Sequence, residues 1–327
     1  MDKKIGVIIP VHNSSQTLDR CLESIVWQTY KNLMVILVEN GSQDNSLELC
    51  KLWAKKDDRI IVLQSEKGVS KARNKGIDAA LSAECDYIAF CDSDDYIKDA
   101  MYESLLEIAN TNSSDLVFCN YIERYTDKNV VQRITEKAKK SLRRKDLTPL
   151  FYHNRDAMMG VVWRSLFSSK LCRKISFKEN IVVAEDLIYI IEAIQEANRI
   201  NFCDEVLYFY TVPTNLIRKY NSEDRNKERS DFFGYMEKIL SGRNKKFLSF
   251  LRVGTLIDRI TAIIKSDKNY HDSIKHLYSI DFYKMCRNTR GFMQQFLHGR
   301  RTLRSKISLC VLYFGFYDFY AKHMKKE

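Results

Sequence analysis

The feature that most constrains this chain is an alternation. Over its first 120 residues, short β-rich apolar runs are separated by stretches whose apolar residues recur at helical spacing. Runs at 5–10, 33–38, 59–63, 87–91 and 115–119 have the length and composition of buried strands. Between them, Leu18, Leu22, Ile25 and Val26, then Leu47, Cys50 and Trp53, then Ala72, Ala79, Ala80 and Leu81, and finally residues 100–109, fall on helix faces. This order predicts an α/β fold, a mostly parallel central sheet with helices on both faces. Ligands of such sheets bind beyond the carboxyl ends of the strands, so the residues that close each run are the first candidates for function.

The run at 87–96, YIAFCDSDDY, closes on Asp92, Asp94 and Asp95. With one residue between them, Asp92 and Asp94 can approach one hard cation, whose other partners are waters and phosphate oxygens. The same string also suits an ordinary Asp/Ser turn or cap before the helix at 100–109. After the first run, His12-Asn13-Ser14-Ser15 reads as a turn and cap. The second ends in Glu39-Asn40-Gly41, and Gly68-Val69-Ser70 opens a helix with Arg73 in its first turn. Further on, Glu185 and Asp186 head the helical pattern Leu187, Ile190, Ile191 and Ile194, where the macrodipole stabilises carboxylate charge. They also read simply as N-terminal helix acids.

Beyond Asn120 the alternation breaks. Residues 124–145 are polar and basic and are predicted as a solvated loop. An apolar stretch at 158–171 contains Trp163, and 206–212 reads as a strand. From 215 onward, long helical patterns predict a mainly α-helical C-terminal extension. Its last apolar segment, 307–320, is flanked by Arg300, Arg301, Arg304, Lys306, Lys322, Lys325 and Lys326. It fits either an interfacial membrane element or a buried terminal helix with basic caps.

Charge and cysteines narrow the classes. A formal net charge of +11 asks for an acidic partner, either nucleic acid, an anionic membrane surface or a phosphorylated substrate. The basic residues are spread along the chain with no recognition-helix or zinc pattern, so nucleic acid is not expected. The nine cysteines never form C-x-x-C, which indicates neither zinc nor a disulfide framework, and the start lacks a signal-peptide core. A reducing, cytosolic compartment is expected. No stretch approaches the roughly 20 apolar residues that span a bilayer.

Six motifs then occur in order: IIPVHN (8–13), SIVWQTY (24–30), VENGSQDNS (38–46), KGVSKARNKGID (67–78), FCDSDD (90–95) and AEDLIY (184–189). Together they make residues 5–212 resemble glycosyltransferase family 2, enzymes with the GT-A fold. The resemblance implies a nucleotide-sugar-binding half at 1–120, an acceptor-binding half with the catalytic base at 121–213, and the helical extension at 214–327. It implies donor contacts at Pro10, Val11, His12, Asn13, Glu39, Asn40, Arg73, Asp92, Ser93 and Asp94. Asp94, with Asp92, would bind Mn2+ or Mg2+. Asp186 would be the catalytic base, assisted by Glu185, and Trp163 and Arg164 would line the acceptor side, although a core role suits the Trp equally well.

The activity so implied is inverting, metal-dependent transfer of a sugar from a UDP-sugar to a glycan or lipid-linked acceptor. Surface polysaccharide biosynthesis, such as capsule, is the implied setting, at the inner face of the cell membrane. Besides Gln43, which stands where a threonine is more usual and is expected to matter little, three positions depart from the family pattern: Glu39 and Asn40, where two aspartates are usual, and Thr211, near which an arginine is common. They motivate a competing reading, a nucleotide-sugar binder that has lost catalysis. A nucleotidyltransferase is a further alternative, but the chain has no Gly-rich triphosphate loop.

Overall fold

The computed structural model describes residues 2–147, 161–212, 226–245 and 270–279, with a few further positions between 248 and 322. Strand β1 (Ile5–Val11) is apolar at nearly every position and buried along its whole length, as a strand covered on both faces requires. It pairs in parallel with β2 (Leu33–Glu39) and β4 (Tyr87–Phe90), and β2 pairs in parallel with β3 (Ile60–Gln64). The connecting helices are α1 (Leu18–Val26), α2 (Ser46–Lys56) and α3 (Val69–Ser82).

After the two-residue β5 (Tyr96–Ile97) come α4 (Met101–Asn112) and β6 (Leu116–Arg124). Then follow β7 (Asn129–Gln132), α5 (Glu136–Arg143), β8 (Ser165–Ser168), α6 (Ser169–Cys172), α7 (Glu185–Glu196) and β9 (Ile200–Thr211). These strands form one sheet in the order β3-β2-β1-β4-β8-β6-β9-β5, with β7 on β6. The predicted parallel α/β core is present. Its second half carries β8 inserted antiparallel between β4 and β6, and β9 runs parallel to β6.

The period-2 alternation of β1 divides the core in two. Ile5, Val7, Ile9 and Val11 join the cluster that includes Leu18, Cys21, Leu22 and Ile25 of α1 and Tyr102 and Leu105 of α4. Gly6 and Ile8 face α3 instead. A Cβ built on Gly76 would lie 2.4 Å from Ile8 Cγ2, and one on Gly6 would lie 2.8 Å from Ala80 Cβ. With Ala72 and Ala80 also buried on this face, α3 rests almost directly on the β1 backbone. Its first turn is thereby held over the carboxyl ends of β1 and β4.

The expectation of a solvated loop at 124–145 is overturned, because the segment holds the end of β6, the hairpin partner β7 and helix α5. Thr135 caps that helix by accepting from the Ala138 N–H at 3.2 Å. Ala138 and Leu142, four residues apart, are fully buried, and Lys139 is paired with Glu136 and Asp204. The stem of the lysine packs while its charge is met, so composition hid an amphipathic helix. Strand β9 also begins six residues before the predicted 206.

The chain divides into two compact units, Met1–Lys145 with Asp156–Thr214, and Asp146–Arg155 with Asn215–Glu327. In the second, the described elements are helical, among them Asn226–Ile239 and Tyr270–Ser279. The C-terminal element expected at 307–320 lies largely outside the described residues. No helix among the described residues is long and apolar enough to cross a membrane.

Close packing of α3 on β1 makes a defined prediction. Gly76→Ala forces a methyl group against Ile8 and should cost about 1–3 kcal/mol, whereas Gly234→Ala, with nothing within 4 Å of the added Cβ, should be neutral or stabilising by roughly 0.5–1 kcal/mol. Chemical denaturation of both variants checks this, and equal effects would contradict the packing account.

Candidate active site

At the carboxyl ends of β1 and β4 lies a cavity of about 820 Å³. Three segments wall it: His12 to Thr17 after β1, Lys67 to Val69 at the start of α3, and Asp92 to Asp94 after β4, with Pro10, Asn40, Asp44 and Arg73 completing the lining. Of the residues singled out in the sequence, Pro10, His12, Asn13, Asn40, Arg73, Asp92, Ser93 and Asp94 therefore share one space. Val11 and Glu39 are buried beneath it and do not line it.

The loop after β1 is held by the loop after β2. Asn13 adopts a left-handed conformation, φ 51°, which asparagine tolerates better than most residues. Its N–H donates to Ser42 Oγ at 3.1 Å and its Oδ1 accepts from Gln43 N at 2.8 Å. Asp44 accepts from Ser15 N at 3.0 Å and Ser46 N at 3.1 Å. Burial works against its charge, but the hydrogen bonds from Ser46 and Ser15 outweigh it and hold the pKa below the ordinary carboxylate value. Ser14 Oγ and Thr17 Oγ1 reach Ser93 at 2.6 and 2.9 Å, which ties this loop to the aspartate loop.

Glu39 and Asn40 have local tasks. Glu39 accepts from Ser42 N at 2.5 Å and from Gln64 Nε2 at 3.4 Å. Although burial opposes its charge, these donors lower its pKa. Asn40 Oδ1 accepts from Gly68 N at 2.7 Å, which fixes the amide so that its NH2 is the free end. Gly68 has φ 139°, open to glycine alone in practice. His12 Nδ1 lies 3.0 Å from the Asn40 carbonyl; as donor to that oxygen it leaves Nε2 as the acceptor.

At the centre is Arg73, 3% exposed. Its Nη2 donates to Asp92 at 3.2 Å, and its Nη1 donates to Glu185 at 3.2 Å and to Asp186. The face of Phe177 lies 5.2 Å from its Cζ. Glu185 and Asp186 arrive on the first turn of α7, just after Ala184, whose φ of 58° is left-handed and mildly strained. Burial pushes the Asp186 pKa well above the ordinary value; Arg73 opposes the rise, and the neighbouring Glu185 and Asp92 add to it. A carboxylate of raised pKa is a stronger base than an ordinary one, which suits it to take a proton.

Asp94 is likewise raised, first by burial and then by the charge of Asp92. Two carboxylates one residue apart, repelling each other at the edge of a polar cavity, fit a divalent cation that would relieve the repulsion. Among the described residues no cluster of three His, Cys, Asp or Glu side chains forms a complete protein cage. Such a cation would take its remaining ligands from water and substrate oxygens.

Sequence reasoning missed the supports of this loop. Asp95 points away from the cavity, accepting from Tyr208 Oη at 2.8 Å and Thr211 N at 2.7 Å, and the same Tyr208 oxygen accepts from Asp92 N at 3.2 Å. Burial, with the charges of Asp92 and Asp94, raises the Asp95 pKa well above its usual range. Arg20 donates to the Asp94 carbonyl at 2.6 Å and to Thr211 Oγ1 at 3.1 Å. No local signal marks these contacts, which link positions over 70 residues apart. Trp163 stacks on Tyr208 and Tyr210 with centroids at 4.1 and 5.6 Å and is 3% exposed, so its ring is a core plate. Neither it nor the fully buried Arg164 lines the cavity.

Comparison with known proteins gives the same outline. The sequence signature described as Glycosyl transferase family 2 matches residues 6–175. The uncharacterized glycosyltransferase EpsJ of Bacillus subtilis (strain 168) is 29% identical over 322 residues, covering 94% of this chain and 92% of that protein. Among solved structures, S. aureus TarS matches with a TM-score of 0.61 at 18% identity, over 97% of this chain and 54% of that one. Its 1–349 portion in complex with UDP-GlcNAc matches at 0.55 and 17% identity, over 97% and 81%. The mannosyltransferase PcManGT of Pyrobaculum calidifontis, in complex with GDP-Man and Mn2+, matches at 0.56 and 15% identity, over 96% and 88%. At these identities the structural likeness concerns the fold.

The Tyr208 hydroxyl, shared between Asp95 and the Asp92 N–H, carries a prediction of its own. Tyr208→Phe leaves two buried polar groups short of a partner and should lower stability by about 1–3 kcal/mol, read by chemical denaturation. Retention of full stability would show that Asp95 is held by Thr211 alone.

Proposed function

Because the chain belongs to glycosyltransferase family 2, we propose that it binds a nucleotide-sugar donor, a UDP-sugar, in the cavity over β1 and β4 and transfers the sugar with inversion to an acceptor hydroxyl. The observation that carries this reading is the Arg73 cluster. One buried guanidinium joins Asp92, on the donor side, to Glu185 and Asp186, so a leaving group and a proton acceptor can be served across one reacting carbon.

In this reading the ribose and diphosphate lie along Ser93 and the loop after β1, and the free NH2 of Asn40 donates to a carbonyl of the base. Asp92 and Asp94 would hold Mn2+ or Mg2+, which supplies charge neutralisation for the departing nucleoside diphosphate. Asp186 takes the proton from the acceptor hydroxyl as the oxygen attacks the anomeric carbon from the face opposite the diphosphate, which inverts configuration. Glu185 and Arg73 position that carboxylate. The acceptor is a glycan or lipid-linked saccharide of surface polysaccharide biosynthesis. A peripheral place at the inner face of the membrane draws on the net charge of +11 and on the basic flanks of 307–320.

The competing reading, a nucleotide-sugar binder without turnover, rests on Glu39, Asn40 and Thr211, whose polar groups are engaged by Ser42, Gly68 and Arg20. One experiment separates the two. Donor binding and hydrolysis are measured across UDP-, GDP- and TDP-sugars, with Mg2+, Mn2+ or EDTA. One UDP-sugar should bind and turn over with metal only. Asp186→Asn should lower turnover on the order of 10²- to 10⁴-fold while sparing donor binding, and Asp94→Asn should weaken both. Binding without turnover under every condition would favour the competing reading, and no binding at all would sink the donor assignment.

The raised Asp186 pKa sets the pH profile. The base works only when ionised, so kcat/KM should rise with pH along an acid limb lying above the ordinary carboxylate range. Since Arg73 lowers the Asp186 pKa, Arg73→Met should move that limb to still higher pH as well as lowering the plateau. An unmoved limb would mean that Asp186 is not the group titrating.

A further inference from the structure

The basic run at 139–145 contains Lys139, Lys140, Arg143, Arg144 and Lys145, and the fold sorts them. Lys139 is buried and paired with Glu136 and Asp204. Arg143, at the end of α5, and Lys145 instead line a cavity of about 230 Å³ together with Asn198, Arg199 and Asn201. Arg144, exposed and lying between them in sequence, is not part of that lining. All of these residues belong to the first compact unit.

This cavity is remote from the one over β1 and β4. Strand β9 runs parallel to β6, β6 antiparallel to β8, and β8 antiparallel to β4, so β9 and β4 point the same way. Residues 197–201 stand at the amino end of β9. The second cavity therefore opens at the opposite edge of the sheet from Asp92 and Asp94, and the two share no residue.

Among the described residues the lining holds three cations and no acid. Neutral groups brace each cation. The Phe202 ring lies 5.8 Å from the Arg143 Cζ, Arg199 Nη1 donates to the Asn112 carbonyl at 3.1 Å, and Lys145 Nζ donates to the Gln195 carbonyl at 2.7 Å. Neither Arg143 nor Arg199 forms an ion pair among the described residues. Elsewhere in this unit Arg59, Lys98, Lys174 and Lys178 each face a carboxylate. The acids closest in the chain or through bonds lie outside the lining: Asp115 accepts from the N–H groups of Asn198 and Arg199 at 2.7 and 3.3 Å, Glu196 pairs with Lys174, and Asp146 follows Lys145. A concavity walled by one sign of charge focuses the field and gathers counter-ions.

We propose that this cavity binds a phosphate group, carried either on a lipid headgroup or on a free phosphate ester. Two guanidinium forks, an ammonium group and the Asn198 amide offer more donors than the two oxygens of a carboxylate can use, and a phosphate has oxygens to match them. The volume of about 230 Å³ admits such a group with room for water, whose own share of liquid is roughly 30 Å³. Arg143 and Arg199 are exposed, so the anion arrives directly from solvent.

The test titrates inorganic phosphate and acetate, at matched ionic strength, into the full-length chain and follows thermal unfolding. Wild type is compared with Arg143→Gln, Arg199→Gln and Arg144→Gln, the last removing the same charge one residue outside the cavity. Phosphate should raise the Tm of wild type and Arg144→Gln by about 3–5 °C at a tenfold excess over Kd, and acetate should not. Arg143→Gln and Arg199→Gln should each weaken phosphate binding about tenfold. Co-sedimentation with phosphatidylcholine vesicles, with and without phosphatidylglycerol, identifies the source. Capture only by vesicles containing phosphatidylglycerol, lost in Arg143→Gln and Arg199→Gln and kept in Arg144→Gln, supports a lipid headgroup. A phosphate response without capture supports a soluble phosphate ester.

No phosphate response in wild type, or an equal effect of acetate, overturns the proposal. So does a response that Arg143→Gln retains or that Arg144→Gln loses as well. Phosphate settling in the donor cavity instead would act alike on all four proteins and so gives the same refutation. The cations would then serve only the helix ends that they cap. Should Arg199→Gln fail to fold without its bond to the Asn112 carbonyl, Arg143→Gln against Arg144→Gln still decides.

Discussion

One buried guanidinium holds this site together. Arg73 reaches Asp92 at the end of β4 with one nitrogen and Glu185 and Asp186 at the start of α7 with the other, across more than 100 residues of sequence. Removing the guanidinium would leave buried carboxylates uncompensated at a cost of roughly 3–5 kcal/mol, so the arrangement depends on that one side chain. It is also unbalanced, with three carboxylates around one cation and Asp94 close by. Burial, with the repulsion between neighbouring carboxylates added to it, raises Asp186 and Asp94 above their ordinary values. The same electrostatics links the two ends of the site: whatever neutralises Asp92 removes its repulsion of the Asp186 carboxylate.

Arg73 stands where it does because α3 presents small residues where it crosses β1. Gly76 lies against Ile8 and Ala80 against Gly6, so the helix sits close to β1 and its first turn hangs over the strand ends. A helix held farther off by larger residues would carry its arginine away from Asp92. The covering side of the cluster is aromatic: Phe177 and Tyr189 stack at 4.1 Å, with Phe90 and Phe167 edge-on to Tyr189. That shell lowers the local dielectric and strengthens every charge interaction inside it.

How much of this is legible in sequence follows from range. The strands and helices up to Cys119 announce themselves by local periodicity, and the candidate residues at the ends of β1 and β4 follow from the rule that ligands bind at strand ends. The antiparallel insertion of β8 cannot be read this way, since its four residues, Ser165–Ser168, show no period and pair with β4 and β6 far along the chain. Helix α5 was hidden by its own charge, because Lys139 and its neighbours look solvated until Glu136 and Asp204 are seen to meet the ammonium group. The braces Tyr208, Asp95 and Arg20 are long-range contacts between residue types that occur everywhere.

The departures from the family pattern show how a substitution should be judged. Asn40 in place of an acid keeps an oxygen for the Gly68 N–H, the task that closes the loop, and turns its amide hydrogens outward. Glu39 spends its carboxylate on Ser42, a task that an aspartate one methylene shorter would meet from a different backbone position. Thr211 stands near where an arginine is common, yet an arginine is present there all the same: Arg20, from α1, donates to Thr211 and to the Asp94 carbonyl. Positive charge at a site is a property of space rather than of sequence position. With the Arg20 guanidinium already beside Asp94, a threonine at 211 is weak evidence for lost catalysis.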